Sequence, residues 1–200
     1  AVPSMAMSGF FAQSFLTRDN YQDLLKDCFL TMKLFGSKVA FLPLGGSGKN
    51  WQQEGCAAYQ QMVSRLRTVG EMAKQEGITI GIRTGMGAKF DKKLLKKVGS
   101  SQIKVYYNFQ DAADHHRDIC KELRKLGAQR IVQIHASNTD SVNLQEDPEI
   151  NLPKIRKTLD KMGWSGWLVV ERSRDVKRVR DVKYNFGRNI AYLKQVFQER

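Results

Sequence analysis

Residues 103–136, IKVYYNFQDAADHHRDICKELRKLGAQRIVQIHA, hold a complete strand–helix–strand passage. IKVYY and RIVQI are short runs rich in β-branched and aromatic residues, the composition of strands. Between them DHHRDICKELRKLG spaces its apolar residues at helical intervals among charged ones, the pattern of an amphipathic helix. Gly127 ends that helix, because glycine most easily adopts the left-handed closing conformation. Two strands joined by a crossover helix lie parallel, and the crossover is right-handed.

Working outward, the same alternation fills the chain. The β-rich runs VPSMAMSGF, KVAFLPL, ITIGIRT, IKVYYNF, RIVQIHA and WLVVERS are each followed by a loop and an amphipathic helix. The helices are YQDLLKDCFLTMKLFG, AAYQQMVSRLRTVGEMAKQEG, FDKKLLKKVG, DHHRDICKELRKLG, LPKIRKTLDKMG and NFGRNIAYLKQVFQ, and all but the last close in glycine. Six parallel βα units of this kind predict an α/β fold, with near-continuous apolar strands covered by helices. A parallel sheet that never reverses predicts a TIM-barrel-like (β/α) architecture, as a single domain over residues 1–200. A closed barrel of this type has about eight strands. Six units therefore predict an incomplete or open barrel, N-terminally shortened by two units through truncation, processing or natural loss. An unpaired sheet edge invites association, so a homo-oligomer covering that edge is expected.

Composition narrows the class. With 42% hydrophobic residues, 200 residues can bury a real core, and no apolar run approaches the length of a membrane helix. No secretory leader stands at Ala1, which leaves cytoplasmic and bacterial periplasmic locations both open. Cys28, Cys56 and Cys120 lack metal spacing and are too few for a disulfide framework. The net charge of +13 raises the question of nucleic acid. Its lysines and arginines, however, alternate with apolar residues at helical spacing, as in KFDKKLLKKV and RDVKRVRDVK, with no aromatic-interleaved basic patch. That reads as a solvated outer face and argues against a nucleic-acid partner, while a basic field still suits anionic substrates such as sugar phosphates.

Polar residues close the later strands: Asn108 after IKVYY, His135 after RIVQI and Glu171 after WLVV. Catalytic groups collect at one strand end of such a sheet, on loops held by a rigid scaffold. ITIGI ends instead in Arg83. Gln110 and Asp111 follow Asn108 toward the same mouth, with Asp111 alternatively an N-cap for a helix beginning near Ala112. His135, Asn138 and Asp140 in HASNTD stand where a substrate hydroxyl is hydrogen-bonded, with Asn138 and Asp140 alternatively only shaping a turn. His115 and His116 are neighbours in a first helical turn and do not converge, so they read as surface residues. GGSGKN, residues 45–50, fails the phosphate-loop pattern and reads as a loop over the mouth, a lid with Trp51. Trp164 and Trp167 read as packing at a strand entrance. No hydrolase triad is present.

The segments IKVYYNFQDA, QIHASNTDSVNLQEDPEINLPKIRKTLDKMGWSGWLVVERSRD and KYNFGRNIAYLKQVF resemble the xylose isomerase-like TIM-barrel family, specifically bacterial sugar phosphate isomerases/epimerases. The resemblance spans the chain but only the later six of the family's units. It implies a divalent metal, Mn²⁺, Mg²⁺ or Zn²⁺, held at the strand ends, with Asn108, His135 and Glu171 at matching ligand positions. The first ligand glutamate falls on Arg83. The implied reaction moves a proton next to a sugar carbonyl through an enediolate, with metal assistance and Glu171 as one of two acid–base carboxylates.

Arg83 departs from that pattern, since guanidinium neither accepts protons near neutrality nor offers lone pairs to a metal. Three readings stand. Arg83 pairs with Glu171 as a fixed cation, binds a substrate carboxylate or phosphate bidentately, or marks a dead site. Its charge argues against a fully occupied metal site. The alternative function is a catalytically inactive family member that binds a carbohydrate or a protein partner. A related possibility in the same superfamily, an apurinic endonuclease, needs more metal ligands than this chain shows.

Overall fold

A computed structural model describes residues 1–45 and 50–199. Six strands appear where the apolar runs place them: β1 (Met5–Ala6), β2 (Val39–Pro43), β3 (Thr79–Arg83), β4 (Ile103–Asn108), β5 (Ile131–His135) and β6 (Leu168–Val169). Strand order follows chain order, and the pairings of β1 with β2, β2 with β3, β3 with β4 and β5 with β6 are all parallel. The fold is TIM-barrel-like, built of βα units as the alternation predicts.

The helices are α1 (Gly9–Ala12), α2 (Tyr21–Phe35), α3 (Ala57–Glu76), α4 (Ala88–Val98), α5 (Phe109–Ala113), α6 (Ile119–Leu126), α7 (Leu152–Lys161) and α8 (Val182–Phe197). Gly36, Gly77, Gly99, Gly127 and Gly163, the expected helix closers, all carry positive φ. No helix among the described residues is long and apolar enough to cross a membrane.

The chain divides into two compact units, Ala1–Tyr106 and Tyr107–Arg200. In the first, Leu25, Phe29 and Met32 of α2 and Met62, Leu66 and Val69 of α3 bury one stripe of each helix against Ala40, Leu42, Ile80 and Ile82 of the strands. In the second, α6 packs on α7 and α7 on α8. Their buried faces carry Ile119, Leu123, Leu126, Ile155, Leu159 and Leu193.

Three local expectations are corrected. The helix expected over residues 114–127 begins only at Ile119, with the Asp118 carboxylate accepting from Lys121 N–H at 2.9 Å. His115 and His116 therefore lie in the turn before it, both exposed. Trp51 is not a lid residue: it is fully buried, its ring 5.5 Å from that of Phe90. Residues 46–49 of the GGSGKN segment lie outside the described residues. Trp164 packs as expected, its Nε1 donating to the Ile131 carbonyl at 3.0 Å, whereas Trp167 is exposed.

Candidate functional site

The second unit carries most of the residues singled out at strand ends. His135 closes β5, opposite Val169 of β6. The β6 ladder ends at Val169, so Glu171 stands two residues beyond the strand on the loop that follows. His135 Nδ1 and Glu171 Oε2 nevertheless approach to 3.5 Å, with the imidazole 9% and the carboxylate 39% exposed. A buried ring beside a reachable carboxylate is an arrangement that can exchange protons with a small molecule.

The loop behind Glu171 is held by hydrogen bonds rather than by apolar packing. Ser173, completely buried, sits in the left-handed region at φ 73°, where a side-chain-bearing residue is strained. Its Oγ accepts from the Asn138 N–H at 2.6 Å. Its carbonyl accepts from Asn143 Nδ2 at 3.1 Å and Asn189 Nδ2 at 2.7 Å. Asn185 Oδ1 accepts from Asn143 Nδ2 and from the Asp175 N–H. These asparagines are buried, where each unmade hydrogen bond is costly, so the network permits one loop geometry.

Asp140 fixes the same loop from the other side. Its carboxylate accepts from Arg174 Nε at 2.9 Å and Nη2 at 2.5 Å, and from Arg172 at 3.3 Å. The Arg174 hydrogen bond holds the Asp140 carboxyl below its ordinary range. Arg172 is the second arm of this clamp. Asn138 donates through Nδ2 to Asp147 and to Glu149, each at 3.0 Å. Its Oδ1 is buried with no hydrogen-bond partner among the described residues.

Asn108 closes β4 and caps α5: its Oδ1 accepts from the Gln110 N–H at 2.8 Å. Asn108, not Asp111, is therefore the N-cap here, and the helix starts three residues before Ala112. Gln110 lies in the first turn of that helix and is half-buried. Arg83 closes β3 in the first unit, where its carbonyl accepts from the Leu44 N–H.

Of the positions matched to metal ligands, Asn108 closes β4, His135 closes β5 and Glu171 lies on the loop after β6. Among the described residues no group of three or more His, Cys, Asp or Glu comes together. The Asn108 oxygen accepts the capping hydrogen bond and keeps a second lone pair.

Ser173, Asn143, Asn185, Asn189 and Arg174 were not anticipated. Asn185, Asn189 and Leu193 follow one another at four-residue spacing and all are buried, so asparagines in an otherwise apolar helical stripe were the readable signal for two of them.

A family model described as xylose isomerase-like TIM barrel matches residues 4–196. Among solved structures, an AP endonuclease, family 2, from Brucella melitensis superposes with a TM-score of 0.71 at 14% identity, covering 92% of this chain and 76% of that one. A D-psicose 3-epimerase with D-tagatose from Clostridium cellulolyticum H10 gives 0.74 at 13% identity, covering 94% and 75%. A sugar phosphate isomerase/epimerase from Parabacteroides distasonis gives 0.73 at 15% identity, covering 96% and 70%. At these identities the likeness is one of fold. No curated protein matches the sequence.

Proposed function

We propose, from the premise that the chain belongs to the xylose isomerase-like TIM-barrel family, that it is a sugar or sugar-phosphate isomerase/epimerase. The reaction is a proton shift next to a carbonyl, with Glu171 as the acid–base group. The observation that carries this reading is the 3.5 Å approach of the buried His135 ring to the half-exposed Glu171 carboxylate. Glu171 takes a proton from the carbon beside the carbonyl. A ring N–H of His135 donates to the oxygen on which negative charge develops, where a preformed donor acts most strongly. The proton then returns from Glu171, and the hydroxyl proton passes to the former carbonyl oxygen.

Of the two outcomes, this geometry supports isomerisation better. A single carboxylate that removes and returns the proton on one face delivers it to the neighbouring carbon. Inversion at one carbon needs a second acid on the opposite face. Asn138 and Gln110 are proposed as hydroxyl-binding residues, and Asp140 as the residue that ties the loop of Asn138 to the loop of Glu171. No step is routed through a metal. The test is deuterium uptake from solvent into a panel of aldoses, ketoses and their phosphates. Uptake by the wild type that disappears in Glu171→Gln supports the reading.

A second reading, a family member without chemistry that binds carbohydrate or protein, is favoured by Arg83, which occupies the position matched to a ligand glutamate. No deuterium uptake across the whole panel selects it. For either reading, β1 is the terminal strand of the sheet, and Leu30, Leu34 and Phe35 of α2 are exposed in the same unit. We propose that a second copy covers this edge; a single monomeric species in light scattering would contradict it.

A further inference from the structure

The second unit holds a cavity of about 330 Å³ bordered by the N-terminal turns of α6 and α7, within the range of small-molecule sites, about 300–1,000 Å³. Its floor is apolar, formed by buried Ala113, Ile119 and Ile155. Asp118, Glu149, Asn151 and Lys154 line its polar side. Asp118 Oδ2 and Lys154 Nζ face each other at 3.7 Å. That exceeds the roughly 2.7–2.9 Å of a charge-assisted hydrogen bond, so an acceptor and a donor stand side by side without consuming each other. The Lys121 N–H bonded to Asp118, with help from Lys154, holds the carboxyl below its ordinary range and keeps it an acceptor.

The charges of this lining cancel. Arg117 and Lys154 are matched by Asp118 and Glu149 of the same lining, and Arg117 also meets Glu122 beyond it at 3.7 Å. In a chain of net charge +13, this is a place where cations are already answered by carboxylates. A phosphate is recognised by uncommitted cationic donors. A neutral sugar asks for alternating donors and acceptors around its hydroxyls and an apolar surface beneath its C–H face. We infer that this cavity binds an unphosphorylated sugar or polyol, with Asp118 and Lys154 bracketing one hydroxyl and Ile119 and Ile155 supporting the ring.

The site also touches the loop that follows His135. Glu149, on its lining, accepts from Asn138 Nδ2 at 3.0 Å. The inference is independent of turnover at Glu171 and stands or falls separately from it.

The experiment is an amide NMR titration of the full chain with D-fructose, D-glucose, xylitol and fructose 6-phosphate. A neutral ligand is expected to shift the Ile119, Cys120 and Lys154 amides equally in wild type and Glu171→Gln. Affinity should be roughly tenfold weaker in Lys154→Met, the loss of one hydrogen bond to a charged group. No shift at the cavity amides with any of the three neutral ligands, unchanged affinity in Lys154→Met, or tighter binding of the phosphate ester there would each overturn the assignment.

Discussion

Replacing Ser173 separates hydrogen bonding from backbone strain in the loop that carries Glu171. In Ser173→Ala the Asn138 N–H loses its acceptor at 2.6 Å. Both residues are buried, at 0% and 3% exposure, so no water takes over, and the cost of an unsatisfied buried donor is about 1–3 kcal/mol. The left-handed backbone at φ 73° suits alanine no better than serine. Ser173→Gly loses the same hydrogen bond but lifts a conformational cost of about 1–2 kcal/mol, a gain that outweighs glycine's greater freedom in the unfolded chain. The expected order of stability is therefore wild type, then Ser173→Gly, then Ser173→Ala. At about 2–4 °C per kcal/mol for a chain of this length, Ser173→Ala should melt roughly 2–12 °C lower. Urea unfolding followed by tryptophan fluorescence and by circular dichroism provides the measurement. Wild-type stability in Ser173→Ala, or a glycine variant weaker than the alanine one, would refute the account of this loop.

Glu171→Gln should reduce proton exchange into substrate by roughly 10²–10⁴-fold, the usual worth of a positioned general base, while unfolding is unchanged; a small effect would move the base elsewhere. Asp140→Asn tests the arginine clamp through pH. The folded carboxyl lies below its ordinary value, so its stabilisation is complete above about pH 4 and fades as pH falls further. The variant should unfold more easily than wild type at neutral pH and converge with it in acid; a constant gap would show that charge is not the cause. Asn108→Ala should destabilise by about 1 kcal/mol through loss of the α5 cap, and Asn108→Asp should restore it, both read by urea unfolding. Gly70→Ala would place a Cβ 2.7 Å from the Ser100 Cβ, an overpacking cost of about 1–3 kcal/mol that Ser100→Gly in the same chain should relieve.

The βα succession was legible because each unit repeats two strong signals, a β-rich run and an amphipathic helix closed by glycine. The strand-end positions of Asn108 and His135 followed from it, since each stands where a β-rich run gives way to a loop. Glu171 was found by the same rule, although WLVV forms only a two-residue ladder, Leu168–Val169; polarity marked the loop correctly while the strand ended earlier. Elements that depend on side chains meeting across long separations were not legible. Nothing near Asn189 in sequence indicates that it will donate to the Ser173 carbonyl, 16 residues away. Nor does HASNTD reveal that Asp140 answers Arg174, 34 residues further on. Asp140 could be read only as a turn or ligand residue, because its arginine partners lie beyond β6.

Physically, the surroundings of His135 and Glu171 are costly to build. Buried asparagines contribute less to stability than apolar residues of their size and leave unmet donors if the loop shifts. Four such residues, Asn138, Asn143, Asn185 and Asn189, nevertheless converge around one left-handed serine. Apolar packing would hold the same loop with many near-equivalent arrangements, whereas directional bonds to both Oγ and the carbonyl of Ser173 leave one. The carboxylate two residues upstream inherits that direction. A loop whose only task was to join β6 to α8 would have no need of it, so the concentration of buried amides behind Glu171 is itself an argument that the placement of this carboxylate matters more than the stability its neighbours forgo.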